Sequence, residues 1–272
     1  MSAHSTETAV SPSIGEPRLG RPAESTEVHT RILRCMLATD DCFAYWRHAD
    51  PSVPQPQRAR LAFEQRWFGT KTEARVRTIM TDMVQRFDAY PESLALFQHL
   101  GRIPVGLRTF LCHLHTQLAD PVYRSFAGDF LPGRRGEGRT TVDRADVVRW
   151  VEASHPGRWS PITCAKFASN LLATALDVEL VRGRRDPRAL PPLAVPELVV
   201  GYALYLLRTV RVEGSLTENP YLRSLGVDTA SLARVAPRVP GIRFVELAGA
   251  AEVTFLEPSL TAWGVRYFGG LA

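Results

Sequence analysis

The sequence predicts a mainly helical α+β fold, on three observations. Large apolar residues recur at helical spacing in most segments, with Val76, Ile79, Met80, Met83, Val84 and Phe87 the clearest stripe. Proline and glycine punctuate those segments at short intervals. Strand patterns are brief, one after Asp177 and one within Gly241–Glu257.

Residues 1–27 are rich in Ser, Thr, Pro and Gly and read as a disordered leader. Val28–His48 holds Ile32, Leu33, Met36, Leu37, Phe43, Tyr45 and Trp46, enough for one or two short helices. Pro51, Pro54 and Pro56 mark a connection, after which Arg58–Phe68 resumes helix and stops at Gly69. Thr72–Phe87 carries the amphipathic stripe, and Tyr90–Leu100 and Val105–Leu118 are two further helices separated by Gly101–Pro104. Pro121–Phe130 reads as a shorter one, and the Gly- and Arg-rich stretch Pro132–Arg139 as a loop. That loop lacks the Gly-Lys-Ser/Thr ending of a phosphate-binding loop.

Thr140–Ala194 is the stretch around which the chain is organised. Thr141 is the expected cap of a helix running from Val142 through Val151, with Asp143 and Asp146 in its first turn. His155, Pro156 and Gly157 stop it, and Ser160 and Pro161 restart one through Leu176. Ala165, Ala168, Leu171, Leu172, Ala175 and Leu176 define its buried face; Thr163, Lys166, Asn170 and Thr174 are placed on the other. Val178, Leu180 and Val181 then read as a strand leading into a tip with Arg182, Gly183, Arg184, Arg185 and Arg188. Helix, turn, helix and basic hairpin in that order predict a winged helix-turn-helix-like unit, an architecture used mostly to grip duplex DNA. Pro196–Val212 follows as a buried helix, Asn219–Gly226 as a short turn of helix, then another capped by Asp228 or Thr229 and running through Leu232 and Val235 to Pro237, and Gly241–Glu257 as a hairpin turning at Ala248 and Gly249. The expected organisation is a leader at 1–27, a helical domain at 28–120 and a C-terminal domain with the winged unit at 121–272.

The 272 residues carry a formal net charge of +5. Lysine occurs only at Lys71 and Lys166, so nearly all positive charge is arginine, whose planar fork suits phosphates and guanine edges. A GC-rich coding bias accounts for the same composition. Cys35, Cys42, Cys112 and Cys164 form no Cys-x-x-Cys pair, which fits a reduced, cytoplasmic protein. The longest apolar run, Leu198–Leu207, is about half of the ~20 residues needed to cross a bilayer. Cys112, His113 and His115, with His99, invite a metal reading, but His113 is one and two positions from the other two, spacings that do not share a helical face, and no second ligand pair stands at zinc spacing. No nucleophile elbow, zincin or dinucleotide motif is present, so neither catalysis nor a cofactor is expected.

Trp159 and Ser160, the turn Arg185–Arg188, the helix Tyr202–Leu207, the segment Asn219–Gly226 and a closing hairpin together resemble the BrxA family. These are accessory proteins of BREX phage-defence systems, and the likeness covers roughly Tyr90 to Trp263. It implies a helical, non-catalytic, duplex-DNA-binding protein that works beside the methyltransferase and ATPase components. The expected DNA contacts are Arg158, Ser160, Thr163, Lys166, Asn170, Arg182, Arg184, Arg185 and Arg188. A winged-helix transcription regulator and a protein-interaction scaffold within a defence complex are the competing classes.

Overall fold

The computed structural model describes residues 20–247 and 250–271, so the leader to residue 19 and the expected turn at Ala248 and Gly249 lie outside the described residues. The mainly helical α+β expectation holds. Among the described residues the first element is a 3-10 turn at Arg31–Leu33, then α1 (Thr39–His48), α2 (Gln55–Glu64) and α3 (Glu73–Met83), which runs on as a π-helical turn to Asp88. Next come α4 (Pro91–Leu100), α5 (Val105–Ala119), α6 (Pro121–Ser125), a π-helical turn over Phe126–Phe130 and α7 (Leu131–Gly136). The middle of the chain is β1 (Thr141–Val142), α8 (Arg144–Ser154), α9 (Pro161–Asp177) and β2 (Arg188–Ala189). It closes with α10 (Glu197–Thr209), α11 (Pro220–Ser224), α12 (Thr229–Val235), β3 (Ile242–Leu247), β4 (Ala250–Phe255) and α13 (Leu260–Phe268).

Local chemistry sets most helix starts. The side chains of Thr72, Asp120, Asp143, Ser160, Asn219, Asp228 and Ser259 each accept a hydrogen bond from a backbone N–H in the first turn they precede. Prolines open α4, α6, α9 and α11, where a missing N–H costs nothing. β3 and β4 pair antiparallel from Ile242–Phe255 to Leu247–Ala250, which bears out the C-terminal hairpin.

One apolar cluster runs from Ile32 to Phe268. Its centre is aromatic: Trp46 lies 4.4 Å from Phe97, His115 packs on Phe87 and Phe97, and Trp263 stacks on Tyr205. α13 meets α4 where Gly264 lies against Leu96, and α10 meets α13 where Gly201 leaves room for the Trp263 ring. The buried Arg86 donates to the carbonyls of Cys35, Met36 and Leu37 at 3.0, 2.6 and 2.8 Å, so a charge in the core closes the backbone turn before α1.

Four local expectations need correction. Residues 20–27, placed in the leader, are docked: Glu24 N–H donates to Arg211 O, and its carboxylate pairs with Arg124 at 3.3 Å and accepts from Tyr221. Thr141 is in β1, and Asp143 caps α8 in a capping box with Asp146, because the aspartate two residues on offers a stronger acceptor. Pro132–Arg139 is helical in its first half, held by the buried Leu131. Val178, Leu180 and Val181 are buried in a turn. Glu179 takes a left-handed conformation (φ 60°), and the Leu180 N–H returns to Ala175 O at 2.8 Å, so the backbone bonds α9 instead of a ladder.

Candidate functional site

β1, α8, α9 and the loop leading to β2 assemble into one local unit. β1 pairs antiparallel with β2, Thr141 opposite Ala189 and Val142 opposite Arg188. Arg182 forms an isolated bridge with Ala189, exchanging both backbone hydrogen bonds at 2.8 and 2.9 Å. The loop Gly183–Pro187 is thereby pinned at both ends. Gly183, at φ 96°, supplies the left-handed residue that reverses the chain.

α8 packs on α9, and Trp159 at the turn between them packs at a tilt on Phe167 with ring centroids 4.2 Å apart. His155 meets the edge of Trp159, and partial burial, with the Arg158 charge second, holds its pKa below the usual histidine value. It therefore adds no charge to this surface at neutral pH.

The outward face of α9 differs from the one read in the sequence. At about 100° per residue, Ile162, Ala165, Lys166, Ser169 and Ala173 form one stripe, and Asn170 lies about 80° round from Ile162. Ile162 is 71% exposed and Lys166 is exposed. Asn170 is half-buried and its amide donates to Ile32 O at 3.0 Å in the 3-10 turn, while Thr174 is buried and donates to Asn170 O. Thr163 is half-buried beside Ser160, whose hydroxyl accepts from the Thr163 N–H as the helix cap. Thr163, Asn170 and Thr174 therefore flank the stripe and do not lie on it. The physical reason is the 3-10 turn: its carbonyl needs a donor, and α9 rotates a polar edge towards it.

The arginines separate into two groups. Arg184 and Arg185 are exposed and make no hydrogen bond or ion pair among the described residues. Arg182 is exposed, with Glu179 4.0 Å away. Arg158 is exposed and donates to Val28 O at 2.8 Å. Arg188 instead turns inward, 13% exposed, with Nε 3.4 Å from Asp186, so it braces the loop from beneath. In the former glycine-rich segment, Arg134 pairs with Asp146 at 2.9 Å and Arg135 donates to Leu180 O. Both hold the unit together.

Arg144, absent from the sequence-based set, joins the two halves. Its guanidinium donates to Ser169 Oγ at 2.9 Å and to Ala165 O at 3.2 Å on the α9 stripe. Its backbone N–H donates to the Asp186 carboxylate at 3.1 Å in the loop. The stripe, Arg144 and the arginine loop thus share a surface. Its position directly after the Asp143 cap was the available signal, since the first helical residue projects from the end of α8.

Elsewhere, His113 contacts Tyr123 Oη at 2.7 Å and Ser224 Oγ at 2.9 Å, and His115 contacts Arg86 O and Tyr202 Oη at 2.8 and 2.7 Å. Both rings are buried, with all four nitrogens partnered inside the core. Among the described residues no group of three His, Cys, Asp or Glu side chains could hold a metal ion. No helix among the described residues is long and apolar enough to cross a membrane. No protein-family model matches the chain, and neither does any of the curated proteins compared with it.

Proposed function

We propose that this chain is a non-catalytic, duplex-DNA-binding accessory protein of a BREX-type phage-defence system. The reading is supported by the element order β1, α8, α9, the Arg182 bridge, the arginine loop and β2, which is compatible with a winged helix-turn-helix-like unit. In this reading α9 enters the major groove and the Arg182–Arg185 loop lies along the neighbouring phosphates. The observation that carries it is the run of exposed cations whose side chains form no ion pair among the described residues: Lys166 on α9, Arg144 across the stripe, and Arg184 and Arg185 on the loop, with Asp186 the acid beside them, its carboxylate held by the Arg144 backbone N–H. Each phosphate neutralised releases condensed counterions, which favours binding without regard to sequence. The assignment to a defence complex is supported by the resemblance to the BrxA family.

The test is duplex binding as a function of salt. The expected outcome for Arg182, Arg184 and Arg185 changed together to Ala is weaker binding, with the log–log salt slope reduced by about 2 to 3. An unchanged affinity and slope would refute the loop's role. Co-purification of the methyltransferase and ATPase components with the tagged protein is the expected outcome for the defence assignment. Their absence from the eluate at low salt removes it.

A further inference from the structure

Ile162 is an anomaly on the surface just described. It is the second residue of α9, directly after the Ser160 cap and Pro161, and 71% of it faces solvent. A branched aliphatic side chain held there gains nothing from the fold, and isolated exposed apolar residues are common enough to need no function. Its setting separates it from those. One turn further along the same stripe stands Lys166, and Arg158 precedes the helix. Beside Lys166 the stripe carries the small residues Ala165 and Ser169, with the Arg144 guanidinium laid across them. The first turn of the second helix in such a unit is the part that approaches base edges. Lysine and arginine reach guanine edges or phosphates; an aliphatic group in the same row has one apolar partner in a major groove, the 5-methyl group of a pyrimidine.

We propose that Ile162 is a specificity-determining residue that reads pyrimidine 5-methyl groups, an inference that rests on the duplex-DNA reading above. Thymine and 5-methylcytosine present the same group at the same place in the groove, and the experiment separates them. Binding at low salt is measured by fluorescence anisotropy on four duplex probes: alternating adenine–thymine, the same with uracil for thymine, alternating guanine–cytosine, and the same with 5-methylcytosine. The full chain is compared with Ile162→Ser and with Lys166→Ala. Ile162 touches little of the core, so both variants leave the fold intact.

The expected result is a preference for the methylated member of at least one pair of about fourfold per methyl contacted. Ile162→Ser abolishes it, while Lys166→Ala weakens all four probes and preserves the ratio. A preference in the adenine–thymine pair only assigns thymine; a preference in both pairs assigns any 5-methylated pyrimidine. Salt-dependent binding with equal affinities within each pair overturns the role of Ile162 and leaves the DNA reading standing. A preference that survives Ile162→Ser also overturns it. No binding to any probe at low salt removes the DNA reading itself.

Discussion

His115 shows how a residue that looks chemically available becomes structural. The Arg86 carbonyl can only accept, so Nδ1 carries the proton and Nε2 accepts from the Tyr202 hydroxyl. Burial drives its pKa down to about 4, and that of His113 down to about 3. The unfolded chain takes up a proton near pH 6.5, so between that pH and about 4 the unfolded state binds more protons than the folded one. Stability is therefore intact above pH 6.5 and is lost as pH falls. Each fully protected histidine contributes a slope approaching about 1.4 kcal/mol per pH unit. The expected outcome for His115→Gln is lower stability at pH 7 and a shallower dependence, by about 1 kcal/mol per pH unit, in urea melts from pH 6.5 to 5. A slope equal to the wild type would show that this ring takes up its proton as readily in the fold as in the unfolded chain. The spacing of Cys112, His113 and His115 argued against a metal, but it could not name Tyr202 or Ser224, which lie about a hundred residues on.

At the scale of elements, the legible features were those written in neighbouring residues. Ser160 with Pro161, Asn219 with Pro220, and Asp228 with Ser231 each mark a helix start that the structure keeps. β1 was not legible, since two residues have no periodicity and Thr141 and Asp143 compete as caps two positions apart. The outward face of α9 was misread because Asn170 is polar for the sake of Ile32, a partner 138 positions away. Gly128 was equally silent. It sits in the π-helical turn Phe126–Phe130, where a Cβ would press into the backbone and ring of Pro220 at the start of α11. Arg223 on α11 also reaches back to the Gly128 carbonyl and the Asp129 carboxylate, fixing the two elements together. Gly128→Ala is expected to cost about 1–3 kcal/mol or more through overpacking. Gly133→Ala in α7 meets open space and is expected to be neutral or to gain up to about 1 kcal/mol. Equal denaturation midpoints for the two variants would show that α11 does not bear on Gly128.

Over the whole molecule, composition and punctuation suggested two domains divided near residue 120, whereas the packing runs across that point. His113 and His115 on α5 bond Ser224 and Tyr202, the Glu24 strap clasps Arg124 and Tyr221, and α13 returns to cover α4. Such contacts join residues far apart in sequence, and no local pattern records them. They also make the halves interdependent: without residues 121–272, Leu96, Phe97 and His115 lose Gly264, Tyr202 and the rest of their apolar cover. Breaking the Glu24–Arg124 pair from one side would leave a guanidinium that is 9% exposed without its counter-charge, held only by the carbonyls of Gln117 and Ser25, a change expected to cost up to about 3 kcal/mol. The consequence is a single cooperative unfolding transition. Tryptophans at 46, 67, 150, 159 and 263 sample both sides of residue 120, so their fluorescence and the far-ultraviolet circular dichroism are expected to trace one coincident urea curve. Glu24→Ala is expected to shift that curve as a whole to lower urea. Two separated steps, or a Glu24→Ala shift confined to one probe, would mean that the halves fold on their own despite the shared core.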